Sequence, residues 1–306
     1  MAPELPAGWR ECGPASTCYP TLLKNISDPP ALAVRGEIDA GAQMVAIVGA
    51  RRSSAYGEEV AYQMALRLAS AGLTVVSGMA RGIDGAAHRG ALDGGGRTIA
   101  VMGTGPDAIY PPEHRGLAER IVASGALVTQ FPVGTPPHKG NFPTRNGTIS
   151  GMSVGVVVVE ARRQSGAMLT AGAAGNQGRM VMAVPGSVHN AASRGCHDLI
   201  RDGAHLVASA QDVLADLRVE PILALLDAPA EVAVRFGDAR DTVLATLRAG
   251  ALTLDEIVGA VRAPSAEVVT AVARLRLDQE IRLRDGAYGL AAERTVRNRA
   301  APKRVV

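Results

Sequence analysis

Aromatic side chains and cysteine are scarce in this sequence of 306 residues, since aromatic residues make up 3% of it and cysteine occurs three times. Cys12, Cys18 and Cys196 form no CxxC pair and no His/Cys ligand spacing, and three is a poor number for a disulfide framework. No apolar run is long enough to cross a bilayer, and the first residues lack the basic and apolar regions of a signal peptide. We therefore expect a protein of the reducing cytoplasm, without a metal site and without a membrane partner.

Motifs of nucleotide and metal chemistry are also missing. The sequence contains no GxxxxGK[ST], which excludes a P-loop, no HExxH, and no acidic cluster for two-metal catalysis. Residues Gly103–Ala108 nominally match the dinucleotide-binding fingerprint, but Pro106 and the lack of an acidic residue after the next strand make this match weak. The carboxylates near the turns are scattered, as is typical of caps and turns: Asp84, Asp107, Glu113 and Glu160. We therefore expect no cofactor and no catalytic residue.

Short apolar runs alternate with helical patterns between residues 45 and 217. The runs are nearly all apolar, which is typical of parallel strands that helices cover on both faces. They lie at Val45–Val48, Leu73–Val76, Thr98–Met102, Ala126–Thr129, Val154–Glu160 and Met180–Val184. With 35 glycines available for tight turns, the pattern predicts an α/β domain built on a doubly wound, mainly parallel sheet.

The rest of the chain divides into segments of different character. Residues 1–44 are predicted to form an irregular lead-in that prolines interrupt, with one short strand at most, at 31–34. Residues 218–237 form a linker, and 238–290 form three helices and a hairpin that resemble a winged-helix domain. Thr253 and Glu256 have the spacing of a capping box, and Asp285-Gly286 is a hairpin turn signal. Residues 291–306 form a basic tail that we expect to be disordered.

The residues that follow each strand matter most for binding, because ligands of open α/β sheets lie beyond the carboxyl ends of the strands. Helix N-termini and turn amides at that edge bind phosphate. After the first strand, an adaptable backbone, a guanidinium fork and two hydroxyls come from Gly49, Arg51, Ser53 and Ser54. An ordinary polar loop with a serine N-cap is an equally good interpretation of this turn.

Two later turns repeat this combination of small, hydroxyl and cationic residues before a helix. The second turn contains Ser77, Gly78, Arg81 and Gly82, and the turn after the strand at 154–160 contains Ser165, Gly166 and Thr170. Asp84 and His88 lie four residues apart on the helix after the second turn, so they are able to pair. We favour a packed His88 bonded to Asp84 over a catalytic histidine.

One further stretch combines cations, amides and a single aromatic ring. It contains Lys139, Asn141, Phe142, Arg145 and Asn146. Such a combination binds single-stranded nucleic acid, because charge follows the backbone while a ring stacks on a base. Spacing alone slightly favours the alternative, in which the stretch is a surface loop and Phe142 enters the core.

Taken together and in order, these turns resemble the DNA-processing protein A family, also called DprA or Smf. The match covers roughly residues 19–215. Its pieces are Val45-Ala-Ile-Val-Gly49-Ala-Arg51, Tyr56-Gly57, Ser77-Gly-Met-Ala-Arg-Gly-Ile-Asp84, Ala86-Ala-His88, Thr104-Gly105, Tyr110-Pro111, Asn141-Phe-Pro-Thr-Arg-Asn146, Val159-Glu-Ala161, Ser165-Gly166, Leu169-Thr-Ala171, Ala183-Val-Pro-Gly186, Leu199-Ile200 and Gly203-Ala204. One such motif is weak, but the whole series in register is specific.

The resemblance implies an extended Rossmann fold that binds single-stranded DNA and loads the RecA recombinase onto it, in natural transformation or related recombination, without being an enzyme. It also implies a homodimer formed through the Rossmann domain. By position, it assigns phosphate contacts to Arg51, Arg81, Lys139 and Arg145. It assigns backbone amides and hydroxyls to Ser77, Gly78, Ser165, Gly166 and Thr170, and contact with a base to Phe142.

Three positions depart from the family pattern. Gly147 replaces the second arginine of the usual Arg-Asn-Arg, Thr129-Gln130 replaces a Ser-Glu pair, and His197 stands where asparagine is common. These differences affect the phosphate grip rather than the fold. The alternative function is a nucleotide N-glycosidase of the lysine-decarboxylase-like group, although Pro185-Gly-Ser-Val188 breaks its PGGxGTxxE signature. A net charge of +3 permits a polyanionic partner without requiring one.

Overall fold

The computed structural model describes residues 4–219 without a gap and part of the chain between 240 and 290. The described residues of that second part are 240, 242–248, 250–261, 268, 271–272, 275–276, 280–284 and 287–290. The chain divides into two compact units, Met1–Leu225 and Leu226–Val306. The division falls within the predicted linker at 218–237, of which only 218 and 219 are described, so the linker stays a prediction. The basic tail at 291–306 lies outside the described residues.

Nine strands form the sheet of the first unit, in the order β1-β2-β6-β5-β4-β3-β7-β8-β9. Strands β3 to β9 run parallel to one another, whereas β2 is antiparallel to both β6 and β1. The strands are β1 Trp9–Cys12, β2 Leu32–Gly36, β3 Met44–Val48, β4 Thr74–Ser77, β5 Thr98–Val101, β6 Ala126–Thr129, β7 Gly155–Val158, β8 Met180–Ala183 and β9 His205–Leu206. The structure therefore confirms the predicted doubly wound, mainly parallel sheet.

The segment before β3 is more regular than the lead-in that we expected, because it contributes β1 and β2 to one end of the sheet. Strand β2 overlaps the short strand considered at 31–34, whereas β1 was not predicted. Both strands are short, and prolines interrupt the chain between them. Each strand is only partly buried, so neither has the continuous apolar run that marks the parallel strands. Tyr19 is fully buried below these strands, and its hydroxyl donates to the Pro30 carbonyl at 2.8 Å.

Seven helices of the described first unit cover the two faces of the sheet. They are α1 Ala55–Ser70, α2 Ile83–Asp93, α3 Arg115–Ser124, α4 Asn141–Met152, α5 Gly166–Asn176, α6 Arg194–Arg201 and α7 Ala210–Asp216. Alternate residues of β3 point to opposite faces: Val45 and Ile47 pack with α1, α2 and α7, whereas Ala46 and Val48 pack with α4, α5 and α6. No helix among the described residues is long and apolar enough to span a bilayer.

Helix α1 shows how the sequence sets these elements. Ser54 is its N-cap, and the Ser54 hydroxyl accepts from the Gly57 amide at 3.0 Å, which satisfies one of the free donors of the first turn. Buried residues recur at helical spacing, including Ala61, Met64 and Leu68, and they form one apolar stripe. The chain leaves the helix through Gly72, whose φ of 93° is readily adopted by glycine.

The order of the strands creates a switch point between β3 and β7. From β3 the chain builds outward through β4, β5 and β6, and it then returns to place β7 on the other side of β3. The loops after β3 and β7 therefore diverge toward opposite faces and leave a crevice at the carboxyl end of the sheet. This crevice is the place where the fold predicts a ligand.

Cys12 and Cys18 form a disulfide that ties the end of β1 to the following loop. This pair was not predicted, because three cysteines at irregular spacing give no sign of a disulfide framework. Cys196 is free and buried, and burial raises the pKa of its thiol to about 11.

In the second unit, the described residues include helix α8, Leu254–Ala260, and the strands β10, Ile281–Arg284, and β11, Ala287–Leu290. The predicted capping box is confirmed, because the Thr253 hydroxyl accepts from the Glu256 amide and the Glu256 carboxylate accepts from the Thr253 amide. Strands β10 and β11 pair antiparallel, as expected for a hairpin, and its turn lies outside the described residues. Much of the predicted third helix also lies outside them, so the winged helix stays a prediction.

His88 is packed in the interior between α2 and the sheet, as expected. It is not bonded to Asp84, so the expected partner was wrong. Its Nδ1 lies 2.7 Å from the Thr98 hydroxyl oxygen. Because the Thr98 hydroxyl donates its own proton to the Val75 carbonyl, Nδ1 of His88 carries the proton and donates. Nε2 is buried without a partner among the described residues. Burial, together with the nearby positive charges of His114, Arg145 and Arg89, lowers the pKa of His88 to about 3.

The protein is expected to lose stability in acid because of His88. The pKa of His88 is about 3 in the folded protein and about 6.5 in an unfolded chain. The stability that depends on a neutral His88 is therefore fully present above pH 6.5 and is lost as the pH falls toward 3. From this residue alone, the free energy of unfolding should fall by about 2 kcal/mol between pH 7 and pH 5. Urea denaturation of the wild type and His88→Gln at both pH values measures this term. An equally steep pH dependence in the variant would contradict the prediction.

Candidate nucleic-acid interface

The turn after β3 presents two exposed cations at the carboxyl end of the sheet. Arg51 and Arg52 are both exposed, and the Arg51 guanidinium carbon lies 4.3 Å from the centroid of the Phe142 ring. This distance is within the range of a cation–π contact. The turn therefore holds one guanidinium over an aromatic ring and leaves another in solvent.

A buried carboxylate holds this turn against the loop that follows β7. Glu160 is 2% exposed, and it accepts from the Ser54 amide at 2.9 Å and from the Ser54 hydroxyl at 2.6 Å. A side chain at Gly57 would meet the Glu160 carboxyl carbon at 2.5 Å, so the helix start fits tightly over the carboxylate. Ser53 bonds instead to Glu58 at 2.8 Å. The prediction that Glu160 is a cap or turn residue is confirmed.

The glycines of the first two turns serve contacts within the protein rather than the approach of a ligand. A side chain at Gly49 would meet Ile83 at 2.6 Å, one at Gly82 would overlap the Ala50 carbonyl oxygen, and one at Gly78 would overlap the Arg145 guanidinium. Gly82 also has a φ of 71°, which places it in the left-handed region that glycine tolerates. These glycines bring the two turns together, whereas we expected them to open the backbone to phosphate.

The second turn differs from expectation at its serine. Ser77 is fully buried, and its hydroxyl donates to the Ile47 carbonyl at 2.6 Å. The hydroxyl therefore joins β4 to β3 inside the sheet and does not lie on the rim, contrary to the assignment from the family pattern. Sequence position alone does not reveal this, because the last residue of a strand points either inward or outward.

Arg81 is exposed at the same rim, but it is paired. Its guanidinium binds the Glu113 carboxylate, and the side chains of Arg81 and Glu113 are 56% and 49% exposed. This pairing lowers the pKa of Glu113 and raises that of Arg81. The neighbouring His114 Nδ1 lies 2.9 Å from the Met79 carbonyl, so the short turn at Pro112–His114 is attached to the second turn at two points.

The stretch around Phe142 forms the start of α4, not the surface loop that spacing favoured. Lys139 lies just before the helix and is exposed. Asn141 donates to the carbonyls of Gly103 and Pro136, at 3.2 Å in each case, and so it holds the loops rather than a ligand. Phe142 is half-buried, and its ring centroid lies 6.3 Å from that of Tyr110. The ring lines the surface cavity described below, so the alternative that placed it in the core is wrong.

Arg145 is buried below this ring. It is 3% exposed, and one of its terminal nitrogens donates to the Gly78 carbonyl at 2.5 Å and to the Val101 carbonyl at 2.6 Å. Burial lowers the pKa of Arg145 to about 10, with the charge of Asp84 opposing the shift, so the side chain stays charged at neutral pH. Burial also raises the pKa of Asp84, against the effect of Arg145. Arg145 therefore joins the loops after β4 and β5, and only part of it faces the cavity.

The turn after β7 places backbone donors at the start of α5. Gly166 is exposed, and a side chain there would meet nothing within 4 Å, so the helix N-terminus is open to a ligand. The Ser165 hydroxyl oxygen is buried without a partner among the described residues. Asn146 and Thr170 are buried and both donate to the Gly166 carbonyl, at 3.0 and 3.2 Å. They fix the position of this turn from α4 and α5.

These turns surround a cavity of about 380 Å³ at the predicted switch point. Its lining brings together half of the predicted residues and adds two arginines that we did not select: Gly49, Arg51, Arg52, Phe142, Arg145, Asn146, Arg162, Ser165, Gly166 and Thr170. Four arginines and one carboxylate, Asp84, therefore face the cavity. Arg162 was missed although it lies two residues after the strand-like run at 154–160, and a position after a strand was the signal used for the other turns. A smaller pocket beside it is lined by Arg81, Tyr110 and Phe142, among others.

Comparison with known proteins agrees with this arrangement. The family model described as DNA recombination-mediator protein A matches residues 12–218. The chain belongs to this family. The Escherichia coli protein Smf is 42% identical over 277 residues, which are 88% of this chain and 74% of that protein.

Two solved structures of DNA processing protein A also resemble the chain. The Streptococcus pneumoniae protein has a TM-score of 0.65 and 40% identity, over 69% of this chain and 75% of that chain. The Helicobacter pylori protein, described for its single-stranded DNA binding mode, has a TM-score of 0.62 and 26% identity, over 71% and 98% of the two chains. The resemblance inferred from the motifs is thus confirmed.

The departures from the family pattern are accommodated by local contacts. Gly147 accepts from the Gln177 amide at 2.9 Å through its carbonyl, and a side chain at Gly147 would make an ordinary contact with the Gln177 amide nitrogen at 3.9 Å. Gln130, which replaces the usual acid, accepts from the Thr148 hydroxyl. Among the described residues, no group of three or more His, Cys, Asp or Glu side chains is arranged to hold a metal ion.

Replacement of Glu160 by glutamine is expected to destabilise the fold by about 1–3 kcal/mol, because one of the two Ser54 donors would face an amide instead of an acceptor. Urea denaturation at neutral pH measures this loss. Glu59→Gln is the matched control, because Glu59 lies on α1 and accepts only from Gln63 in the described structure. Equal stability of the Glu160 and Glu59 variants would show that the bridge to Ser54 does not hold the two turns.

Proposed function

We propose that this chain binds single-stranded DNA through its sugar-phosphate backbone and acts as a recombination mediator rather than as an enzyme. The observation that carries the proposal is the set of cations around one aromatic ring at the carboxyl end of the sheet. The Arg51 guanidinium lies over the Phe142 ring. Arg81, in the turn after β4, and Lys139, just before α4, are both exposed. Charge for phosphates and a ring for a base are what single-stranded binding requires.

The cavity favours an unpaired strand over a duplex. Its helix N-terminus and arginines suit phosphate oxygens, and Phe142 becomes a stacking surface when a base takes the place of Arg51. A duplex keeps its bases inside the stack and offers no base to this ring. The H. pylori relative, which is described as binding single-stranded DNA, supports the same ligand for this chain.

The family supports a wider role, which we propose for this chain as well. A mediator of this family would load RecA onto the bound strand during DNA processing or natural transformation, and it would act in the cytoplasm as a homodimer formed through the Rossmann-like unit. Two subunits would then hold one strand at two sites. Once the strand is bound at one site, its effective concentration at the second site is raised.

The alternative, a nucleotide N-glycosidase, needs carboxylates that face a bound sugar as acid and base. In the described structure, Asp84 is the carboxylate that lines the cavity. It is buried beside Arg145 and accepts from the Ala80 amide at 3.3 Å. These contacts suit a structural carboxylate, and they support binding over catalysis.

Lys139→Glu tests the proposal. We expect it to weaken binding of single-stranded DNA roughly tenfold at low salt, equally for all base sequences, because one phosphate contact is replaced by repulsion. The slope of log affinity against log salt should become shallower by about 0.7. Fluorescence anisotropy with labelled oligonucleotides over a salt series measures both quantities, and duplex DNA of the same length should bind more weakly.

Lys24→Glu is the matched control. Lys24 is exposed, and its neighbour Leu23 packs against Gly151 near the end of α4, which is the opposite end of the sheet from the cavity. Reversal of this charge should leave the affinity almost unchanged. If the wild type ignores single-stranded DNA at low salt, or if both lysine variants bind alike, the proposed site is wrong.

Glu113→Gln is expected to strengthen binding, because it releases Arg81 from its ion pair and makes the guanidinium available to a phosphate. An exposed pair contributes up to about 1 kcal/mol, so the gain should reach at most about fivefold. The salt dependence should become steeper by about 0.7, the value for one more phosphate contact. The same anisotropy titrations measure the change.

Glu119→Gln provides the comparison for this variant. Glu119 binds Arg35 through two hydrogen bonds of 2.9 and 2.7 Å, between α3 and β2, away from the cavity. Its loss should not alter the affinity. Unchanged or weaker binding by Glu113→Gln would show that Arg81 does not contact the strand.

A further inference from the structure

Large apolar side chains are exposed along the same rim as the cations. Of seven such exposed side chains in the described residues, four follow parallel strands at their carboxyl ends: Tyr56 after β3, Tyr110 after β5, Leu169 after β7 and Val188 after β8. Single exposed apolar residues are ordinary on protein surfaces. A row of them along one edge, beside a ligand cavity, indicates a binding surface.

Tyr56 and Tyr110 are the two aromatic members of this row, and Tyr56 is the more exposed of them. It is 56% exposed and stands in the first turn of α1, directly after the turn that carries Arg51 and Arg52. The contact of Glu160 with Ser54 and Gly57 fixes the backbone on both sides of Tyr56. The ring is therefore held in solvent at a defined place, although no described hydrogen bond requires it there.

The charges beside Tyr56 point to a polyanion as the occupant of this surface. Arg52 and Arg162 both line the cavity and are exposed, and neither forms an ion pair with a described residue. An apolar ring next to unpaired guanidinium groups suits nucleobases attached to a phosphate backbone. A protein partner would need apolar contact area without this excess of positive charge at its edge.

We propose that Tyr56 is a second base-stacking residue, and that the bound strand continues from the Phe142 ring across the arginines to Tyr56 and Leu169. The inference rests on the proposed function and extends it. The ends of β5 and β3 are two strand spacings apart, or about 10 Å. A strand that advances by at least 3.4 Å per nucleotide covers this distance in roughly three nucleotides.

Tyr56→Ala and Tyr56→Phe, tested with labelled oligothymidylates of about 4 to about 20 nucleotides, separate stacking from charge. The alanine variant should bind the longer oligonucleotides roughly tenfold more weakly, which is a typical effect of losing one stacked base. The phenylalanine variant should bind every length like the wild type, and the salt dependence should not change.

The controls separate the possible failures. An abasic oligonucleotide of the same length should bind the wild type and Tyr56→Ala equally, because it has no bases to stack, and an equal loss on both ligands would overturn the inference. Leu283→Ala removes another exposed apolar side chain, from the second unit, and should have no effect. If Tyr56→Ala matches the wild type at all lengths while Lys139→Glu is defective, the stacking role is wrong and the proposed function stands. If the wild type itself does not bind, the proposed function fails first.

Discussion

A buried guanidinium organises the candidate interface. Removing the charge of Arg145 from water costs free energy, and the carbonyls of Gly78 and Val101 together with the Asp84 carboxylate offset that cost. The same contacts join α4 to the loops after β4 and β5. Phe142 lies 5.8 Å above the guanidinium, so the position of the ring follows from this buried cation. The exposed cations thus lie around Arg145, whose own hydrogen bonds are made within the protein.

The interface consequently has two classes of polar residue. Ser77, Arg145 and Asn146 are buried and bonded to carbonyls of other elements, and they set the spacing of the turns. Thr170 is also buried, and it bonds within its own helix to the Gly166 carbonyl. The residues free to meet a ligand are exposed cations and backbone donors at a helix start. Pre-arranged donors need little reordering when a phosphate arrives, which lowers the entropic cost of binding.

The sequence predicted the parallel core well because its strands are buried on both faces and therefore read as continuous apolar runs. It failed for β1, which is short and partly buried, whereas the short strand considered at 31–34 overlaps β2. The rule that ligands lie beyond strand ends located the turns of the cavity. Spacing did not reveal which side chains point inward, so the hydroxyl of Ser77 and the roles of the glycines were misjudged. The pair Cys12–Cys18 and the partner of His88 depend on long-range packing that no local pattern records.

The exposure of the cations has a consequence for how a ligand leaves. Contacts made at the surface by separate side chains are individually weak and easily screened, so a strand held in the proposed way loosens one nucleotide at a time. A second protein advancing along the strand from one end needs to displace only the nearest contact at each step. One protein is then able to hold the strand tightly and still pass it rapidly to the second protein, because the strand never has to dissociate completely, which is the slow event.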